Sequence, residues 1–418
     1  MDKYYLCIDL KSFYASVECV ERGLDPFKVN LVVADPTRGP GAITLAATPA
    51  IKKLGIKSRG RIFEIPKHIK YEIAMPRMKL YMEYAARIHE IFLKYISSED
   101  IHVYSIDESF LDISSYLNLY KMNPKQIALM IIQDIFKETG ITATAGIGTN
   151  LFLSKIALDI MAKHAEDYIA YLDEDIFKQT LWYHTPLTDF WMIGPGTVKR
   201  LNALGIQNLY GVAHYPEKDL YKTFGVNAEY LIDHSWGKEP TTIADIKNYV
   251  PQANSISNSQ ILFEDYSYDD AYLVMKEMVD INVLTLIERH LVTNHISLFI
   301  GYSKDIISPS RVSRQITNTT NSCRVLLDEF KRLYKIGVNP NYPIRHIAIS
   351  FGNVKSELYE QFDLFTDPED IEKEKRIQQT ILSIHHKYGK NSVLKGMNYL
   401  KRATAKKRNT LVGGHNAD

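Results

Sequence analysis

Residues 103–110 read VYSIDESF, a run with the β-branched and aromatic residues of a buried strand and with two adjacent carboxylates, Asp107 and Glu108, at its centre. Acid pairs as such are ordinary, since 49 Asp+Glu in 418 residues give roughly six by chance. The setting is what constrains the fold. Ionised carboxylates stay in an apolar strand only where a cation or hydrogen-bond donors compensate the lost hydration. Successive strand residues also point to opposite faces, so the two acids share one partner only if the strand ends, bends or bulges there.

A third acid, Asp9, closes the strand candidate KYYLCIDL at 3–10. Ser12 then stands in N-cap position for a short helix that stops at Gly23. Strand-like NLVVAD and GAITLAAT follow, then PAIKKLGI, framed by Pro49 at N1 and Gly55 at C′. Residues 76–97 have helical periodicity, and 103–113 make one long strand or two short ones. A helix near 124–139, a strand at 141–149 and a helix at 150–164 complete an α/β or split βαβ unit. Residues 170–240 read as short helices and turns, the polar passage KEPTTIADIKNYVPQANSISNSQ as a linker, and 250–353 as a separate α+β domain. The length fits two to four domains.

Net charge is +1, with 50 Lys+Arg against 49 Asp+Glu, so any basic surface is local. From Lys375 to Asp418 ten Lys/Arg face one acid, the pattern of a solvated, partly disordered tail. Cys7, Cys19 and Cys323 have no metal-like spacing, and their odd number argues against a disulfide framework. No stretch approaches 18 uncharged apolar residues, and MDKYYLCIDL reads without the h-region or cleavage site expected of a signal peptide. The expectation is a soluble, cytoplasmic protein with no membrane partner.

If the strands of Asp9 and of Asp107/Glu108 pair, three carboxylates converge with no base beside them. That donor set suits a hard divalent cation, Mg²⁺ above all. Two such ions roughly 3.5–4 Å apart activate an attacking oxygen and stabilise a leaving one, so the chemistry implied is phosphoryl or nucleotidyl transfer. The alternative keeps Asp9 as a helix cap and the pair as a surface turn. Lys52 and Lys53 lie on a short helix, and Lys163 follows Lys155 by eight residues on roughly the same helical face; such lysines are ordinarily just solvated. In MIGPGTVKRLNALGI the turn Gly194-Pro195-Gly196 opens a helix whose free N–H groups suit a phosphate. It is similar to a helix-hairpin-helix motif, against the alternative of a simple αα-hairpin.

Taken in order, CIDLKSFYASVE, ATPAIKKLGIK, YSIDESFLDIS, AGIGTNLFLSKIALDIMAK and MIGPGTVKRLNALGI resemble the Y-family of DNA polymerases, the low-fidelity translesion enzymes. Within it ILSIHHKYGKNSVLKG and RNTLVGGH look closer to the UmuC-like branch, the catalytic subunit type of polymerase V, than to polymerase IV. The resemblance implies an α+β multidomain right hand. Its parts would be a ferredoxin-like palm at 1–12 and 75–168, small fingers at 13–74, a helical helix-hairpin-helix thumb at 169–240, a linker at 241–250, an α+β little finger at 251–355 and a clamp-binding, basic tail at 356–418. Asp9, Asp107 and Glu108 would be catalytic and, with the carbonyl of Leu10, hold two Mg²⁺ ions. Tyr14 would be the steric gate against a ribose 2′-OH, Phe13 would lie against the nucleotide, and Lys52 and Lys163 would hold its triphosphate.

DNA-backbone contacts would come from Gly194, Gly196, Arg311, Arg314 and Arg345. QFDLF, with Gln361, Leu364 and Phe365, resembles a sliding-clamp peptide; the alternative packs its aromatics on the preceding domain. The partners implied are primer-template DNA, deoxynucleoside triphosphates, a sliding clamp and a recombinase or UmuD-like accessory subunit, in error-prone, template-directed synthesis for DNA damage tolerance. Two departures stand out: Lys11 where many relatives carry a second Asp, and Lys52 where they carry a bidentate Arg. The rival readings are a nucleotidyl cyclase or other palm-type transferase, with no DNA requirement, and a non-catalytic DNA-binding factor.

Overall fold

The apolar run before Asp9 forms a strand buried along its length, β1 (Tyr5–Leu10), with Asp9 alone half-buried. In the computed structural model, which describes residues 3–251, 254–303, 306–357 and 368–418, the chain divides into two units, Met1–Tyr249 with Asp418, and Val250–Ala417. In the first, β1 is followed by α1 (Phe13–Glu21), β2 (Leu31–Val33), β3 (Ala46–Ala47), α2 (Pro49–Lys52), β4 (Glu72–Ala74), α3 (Met78–Leu93), β5 (Ile101–Val103), β6 (Glu108–Asp112), α4 (Tyr116–Tyr120), α5 (Pro124–Thr139), β7 (Ala143–Gly148), α6 (Leu151–Ile156) and β8 (Ile169–Leu172). The main sheet has the order β5-β6-β1-β7-β8, antiparallel but for the β7/β8 pair. Without β8, the succession β1-α3-β5-β6-α5-β7 is a ferredoxin-like β-α-β-β-α-β unit. The α+β class expected from sequence is the class observed.

Small residues decide how α6 meets this sheet. A Cβ on Gly146 would lie 2.0 Å from the Ser154 carbonyl oxygen, and one on Gly148 2.1 Å from the Ser154 nitrogen, so α6 backbone rests directly on β7. Beyond α6 the chain winds through a π-turn, Ala157–Met161, and a 3-10 turn, Ala162–His164. The short strands β2, β3 and β4 make a separate three-stranded sheet, packed on α1.

Residues 170–249 carry short helices: α7 (Glu174–Thr180), α8 (Pro195–Ala203), α9 (Leu209–Ala213), α10 (Glu217–Phe224), α11 (Ala228–Ser235) and α12 (Ile243–Asn248). Their core, with Phe177, Phe190, Leu201 and Leu220, closes around Phe152 and Ile156 of α6. The polar stretch read as a linker begins with structure. Thr242 and Asp245 cap α12 reciprocally, and Ile243 is buried against Tyr5, Cys7 and Phe110.

The second unit repeats the β-α-β-β-α-β succession with β9 (Ile256–Tyr266), α13 (Tyr268–Glu288), β10 (Leu291–Tyr302), β11 (Ser310–Thr320), α14 (Cys323–Gly337) and β12 (Ile344–Gly352). Its antiparallel sheet has the order β11-β10-β12-β9, with both helices over one face. The basic run read as a solvated tail is folded where it is described, into α15 (Pro368–Tyr388), a turn at Gly396–Tyr399, α16 (Ala405–Arg408) and a small hairpin of Leu411–Val412 with His415–Asn416. The physical reason is a buried acid of α13. Glu277 accepts hydrogen bonds from Asn398 Nδ2 (2.9 Å), Thr404 N (2.8 Å), Thr404 Oγ1 (3.1 Å) and Ala405 N (3.1 Å), which ties the C-terminal segment down. Gln361, Leu364 and Phe365 lie outside the described residues.

Candidate active site

Two neighbouring strands bring the acids together. β1 and β6 pair with Asp9 opposite Glu108, and Leu10 N donates to the Asp107 carbonyl at 2.9 Å. Strand β6 begins only at Glu108; residues 104–107 form a turn, with the Tyr104 and Ser105 N–H groups donating to the Glu108 carbonyl. Asp107 thus escapes the strand alternation that would send it away from Glu108. Ser105 Oγ donates to its Oδ1 at 2.7 Å and fixes the carboxylate.

These acids form one side of a cleft of about 1070 Å³, large enough for a nucleotide. Asp9, Leu10, Phe13, Tyr14, Lys52, Asp107, Glu108 and Lys163 all line it. So do Lys11, Lys53 and Arg59, so that cations and acids line the same cleft. Burial, reinforced by the charges of Asp107 and Glu108 and opposed by Lys163, pushes Asp9 up to about 6.

The lysines are already engaged. Lys155, on α6, donates to Glu108 at 2.8 Å and pairs with Asp159 at 2.9 Å. Lys163 donates to the other oxygen of Asp159 at 2.7 Å and stands 3.9 Å from Asp9 Oδ2. Asp159, in the π-turn, therefore bridges two cations. Lys52 reaches Ser12 Oγ at 2.8 Å, and burial lowers its pKa although Asp9 favours its charge. Lys11 lies 3.8 Å from the centre of the Tyr168 ring.

Tyr14 is fixed by another ring. It stacks on Tyr81 with centroids 4.5 Å apart, and Tyr81 OH donates to the buried Glu18 at 2.8 Å. Arg77 holds that carboxylate through two nitrogens, at 2.9 and 3.0 Å. Ser12, with φ 52, makes the left-handed step that turns the chain from β1 into α1.

The chemistry of the donor set fits a hard divalent cation. Asp9, Asp107 and the Leu10 carbonyl supply oxygen only, while Glu108 is shared with Lys155 and with the Cys7 thiol at 3.2 Å. Among the described residues no three Asp, Glu, His or Cys groups stand close enough to hold an ion by themselves. Oxygen donors of this kind are what a hard divalent cation takes, together with waters and substrate phosphates.

Residues 8–159 match the model of the impB/mucB/samB family, and residues 253–364 match that of the family's C-terminal domain. The putative UV-damage repair protein UvrX of Bacillus subtilis (strain 168) is 33% identical over 421 residues, spanning 99% of this chain and 97% of that protein. The chain belongs to the impB/mucB/samB family of Y-family DNA polymerases. DNA polymerase IV 2 of the same organism is 26% identical, with 99% of each chain covered. A Y-family DNA polymerase chimera has the same fold, with a TM-score of 0.65 at 22% identity over 84% of this chain and 99% of that one.

The residues expected to touch DNA in this polymerase are placed less uniformly. Gly194 caps α8 and Gly196 lies in its first turn, both exposed, with open space where a Cβ would sit. The element immediately before this turn is a 3-10 turn, Leu187–Asp189, not an α-helix. Arg311 and Arg314 do not share a face. Three residues apart on β11, they point to opposite sides: Arg311 lies over the Phe299 ring, whereas Arg314 pairs with Glu329 of α14 at 3.1 Å. Arg345 stands 3.6 Å from Asp265. Sequence reasoning gave no role to Lys155, Asp159, Tyr81, Glu18 or Arg77. The spacing Lys155, Asp159, Lys163, four residues per step, was the available signal.

Proposed function

We propose that this polymerase carries out error-prone, template-directed synthesis across damaged DNA, moving a nucleotide from a deoxynucleoside triphosphate to a primer 3′-OH. The observation that carries the reading is that Asp9, Asp107, Glu108, Lys52, Lys163 and Tyr14 line one and the same cleft. Asp9, Asp107, the Leu10 carbonyl and Glu108 would hold two Mg²⁺ ions. When bound, these supply the positive charge that activates the attacking oxygen and stabilises the leaving one. Lys163 and Lys52 give the triphosphate its fixed cations, and such electrostatic positioning is most of what phosphoryl transfer asks of a protein. The Tyr14 ring, backed by Tyr81, takes the space of a ribose 2′-OH, and Phe13 supports the sugar side of the nucleotide.

In this reading residues 1–12 and 75–168 are the palm, 13–74 the fingers, 169–240 the thumb, 251–355 the little finger and 356–418 the clamp-binding and basic C-terminal part, while 241–250, expected as a linker, carries α12 on the first core. Exposed N–H groups at Gly194 and Gly196, with Arg311, suit DNA phosphates; Arg314 and Arg345 would first have to leave Glu329 and Asp265. Gln361, Leu364 and Phe365 would engage a sliding clamp, and a recombinase or UmuD-like subunit is the further partner. Placement nearer the UmuC-like branch rests on the C-terminal segments alone. No helix of the described residues is long and apolar enough to cross a membrane, and a cytoplasmic site of action is part of the proposal.

The test is primer extension on intact and lesion-bearing templates, with Asp107→Ala/Glu108→Ala as the comparison. Extension that depends on Mg²⁺ and disappears in the double variant is the expected result. Persistence in that variant overturns the assignment of the acids.

A further inference from the structure

The C-terminal module carries a basic surface that the polymerase cleft does not use. Lys387, Lys390, Lys401 and Lys406 are exposed, and among the described residues none has a carboxylate partner. Four acids beside the module, among the described residues, already have partners. Glu277 is held by Asn398, Thr404 and Ala405, Asp280 pairs with Lys395, Glu264 with Arg402, and Glu288 with His386 at 2.6 Å. The positive charge is therefore uncompensated and presented to solvent.

Two aromatic rings interleave with these lysines. Tyr388 and Tyr399 are 66% and 67% exposed, far more than rings in a core. Lys387 stands 5.2 Å from the Tyr388 ring centre and Lys406 6.0 Å from that of Tyr399. Backbone and side-chain bonds gather the two groups: Asn391 Nδ2 donates to the Lys406 carbonyl at 3.0 Å and Asn409 Nδ2 to Asn391 Oδ1 at 2.9 Å. The Glu277 clasp holds this assembly to α13, so the surface is preformed.

We propose that this module is a second nucleic-acid site, which takes single-stranded DNA by its phosphates on Lys387, Lys390, Lys401 and Lys406 and by its bases on Tyr388 and Tyr399. Lysines alone would serve any anion. Exposed rings among them select a partner with flat, unpaired bases, because stacking needs a base face that a duplex does not offer. An acidic peptide would use the lysines and leave the tyrosines idle.

The test is fluorescence anisotropy of the full chain with end-labelled dT20, an abasic phosphodiester oligomer of the same length and an oligoglutamate, across a salt series. Lys387→Ala/Lys390→Ala/Lys401→Ala/Lys406→Ala is expected to flatten the log–log salt dependence on dT20 by about 0.7 for each phosphate no longer neutralised. Tyr388→Ala/Tyr399→Ala is expected to weaken dT20 binding about tenfold, within the range for absent base stacking, while abasic binding stays unchanged. All six side chains are exposed, and matching urea midpoints check that the variants fold. An unchanged salt slope in the lysine variant overturns the site. So does oligoglutamate binding as tight as dT20, which would assign the surface to an acidic protein. A tyrosine variant that binds dT20 as wild type does overturns the base-stacking part. Loss of this pattern while Mg²⁺-dependent extension persists sinks the surface alone, and the reverse outcome sinks the polymerase reading alone.

Discussion

Tyr14 does not hold its own position: stacking on Tyr81, and through it the Glu18–Arg77 pair, keeps the ring against the cleft. Truncation should therefore open space without disturbing the acids. Tyr14→Ala is expected to raise ribonucleotide incorporation relative to deoxyribonucleotide by at least about tenfold, equivalent to ~1.4 kcal/mol, measured as the ratio of the two kcat/KM values. Unchanged sugar discrimination would remove Tyr14 from the gate role. Lys155 supports the site differently, as the cation beside a buried carboxylate. Lys155→Met leaves Glu108 without it and is expected to cost about 3–5 kcal/mol, read from urea unfolding. Adding Glu108→Gln should return most of that loss, since the uncompensated charge is then gone. The acids were legible in the sequence because carboxylates in an apolar run demand an explanation. Lys155 was not, because a lysine on a helix reads as solvated, and only packing of α6 on β7 buries it.

That packing is an element-scale property, and it rests on the absence of two side chains. Gly146 and Gly148 let α6 backbone approach β7 so closely that a Cβ would meet backbone atoms near 2 Å. Backbone yields less readily than a side-chain tip. Gly146→Ala is expected to destabilise the first unit by about 3 kcal/mol, the upper part of the overpacking range, and to displace Lys155 from Glu108. Thermal unfolding checks the first effect, and primer extension below the melting point checks the second. The small-residue strand was legible in ITATAGIGT. The π-turn after α6 was not, because an extra residue in one turn leaves the run of apolar residues looking helical. Helix α12 was hidden by the polarity of its surroundings, although Thr242-x-x-Asp245 is a capping signature and Ile243 and Ile246 lie on one side of it.

At the scale of the molecule, a net charge of +1 conceals a C-terminal segment rich in Lys and Arg, and composition could not say that Glu277 folds it. The division into units was legible in outline, as a polar passage between two α+β patterns, but its position follows from burial. Ile243 belongs to the first core, whereas Tyr249 and Val250 are 70% and 80% exposed and belong to none. Each unit buries its own apolar cluster, so neither core needs the other to exclude water. Proteases need an extended, accessible backbone. Tyr183, Tyr388 and Tyr399 are comparably exposed but sit in turns or a helix, while Tyr249 follows the end of α12 in extended conformation. Among the tyrosines of the described residues, limited chymotrypsin digestion is therefore expected to cut first after Tyr249, which separates residues 1–249 from the second unit, with no early cut inside either described core. Each unit should then unfold in its own cooperative urea transition. Simultaneous cleavage at many sites in both units, or a second unit with no transition, would show that the second core does not stand alone.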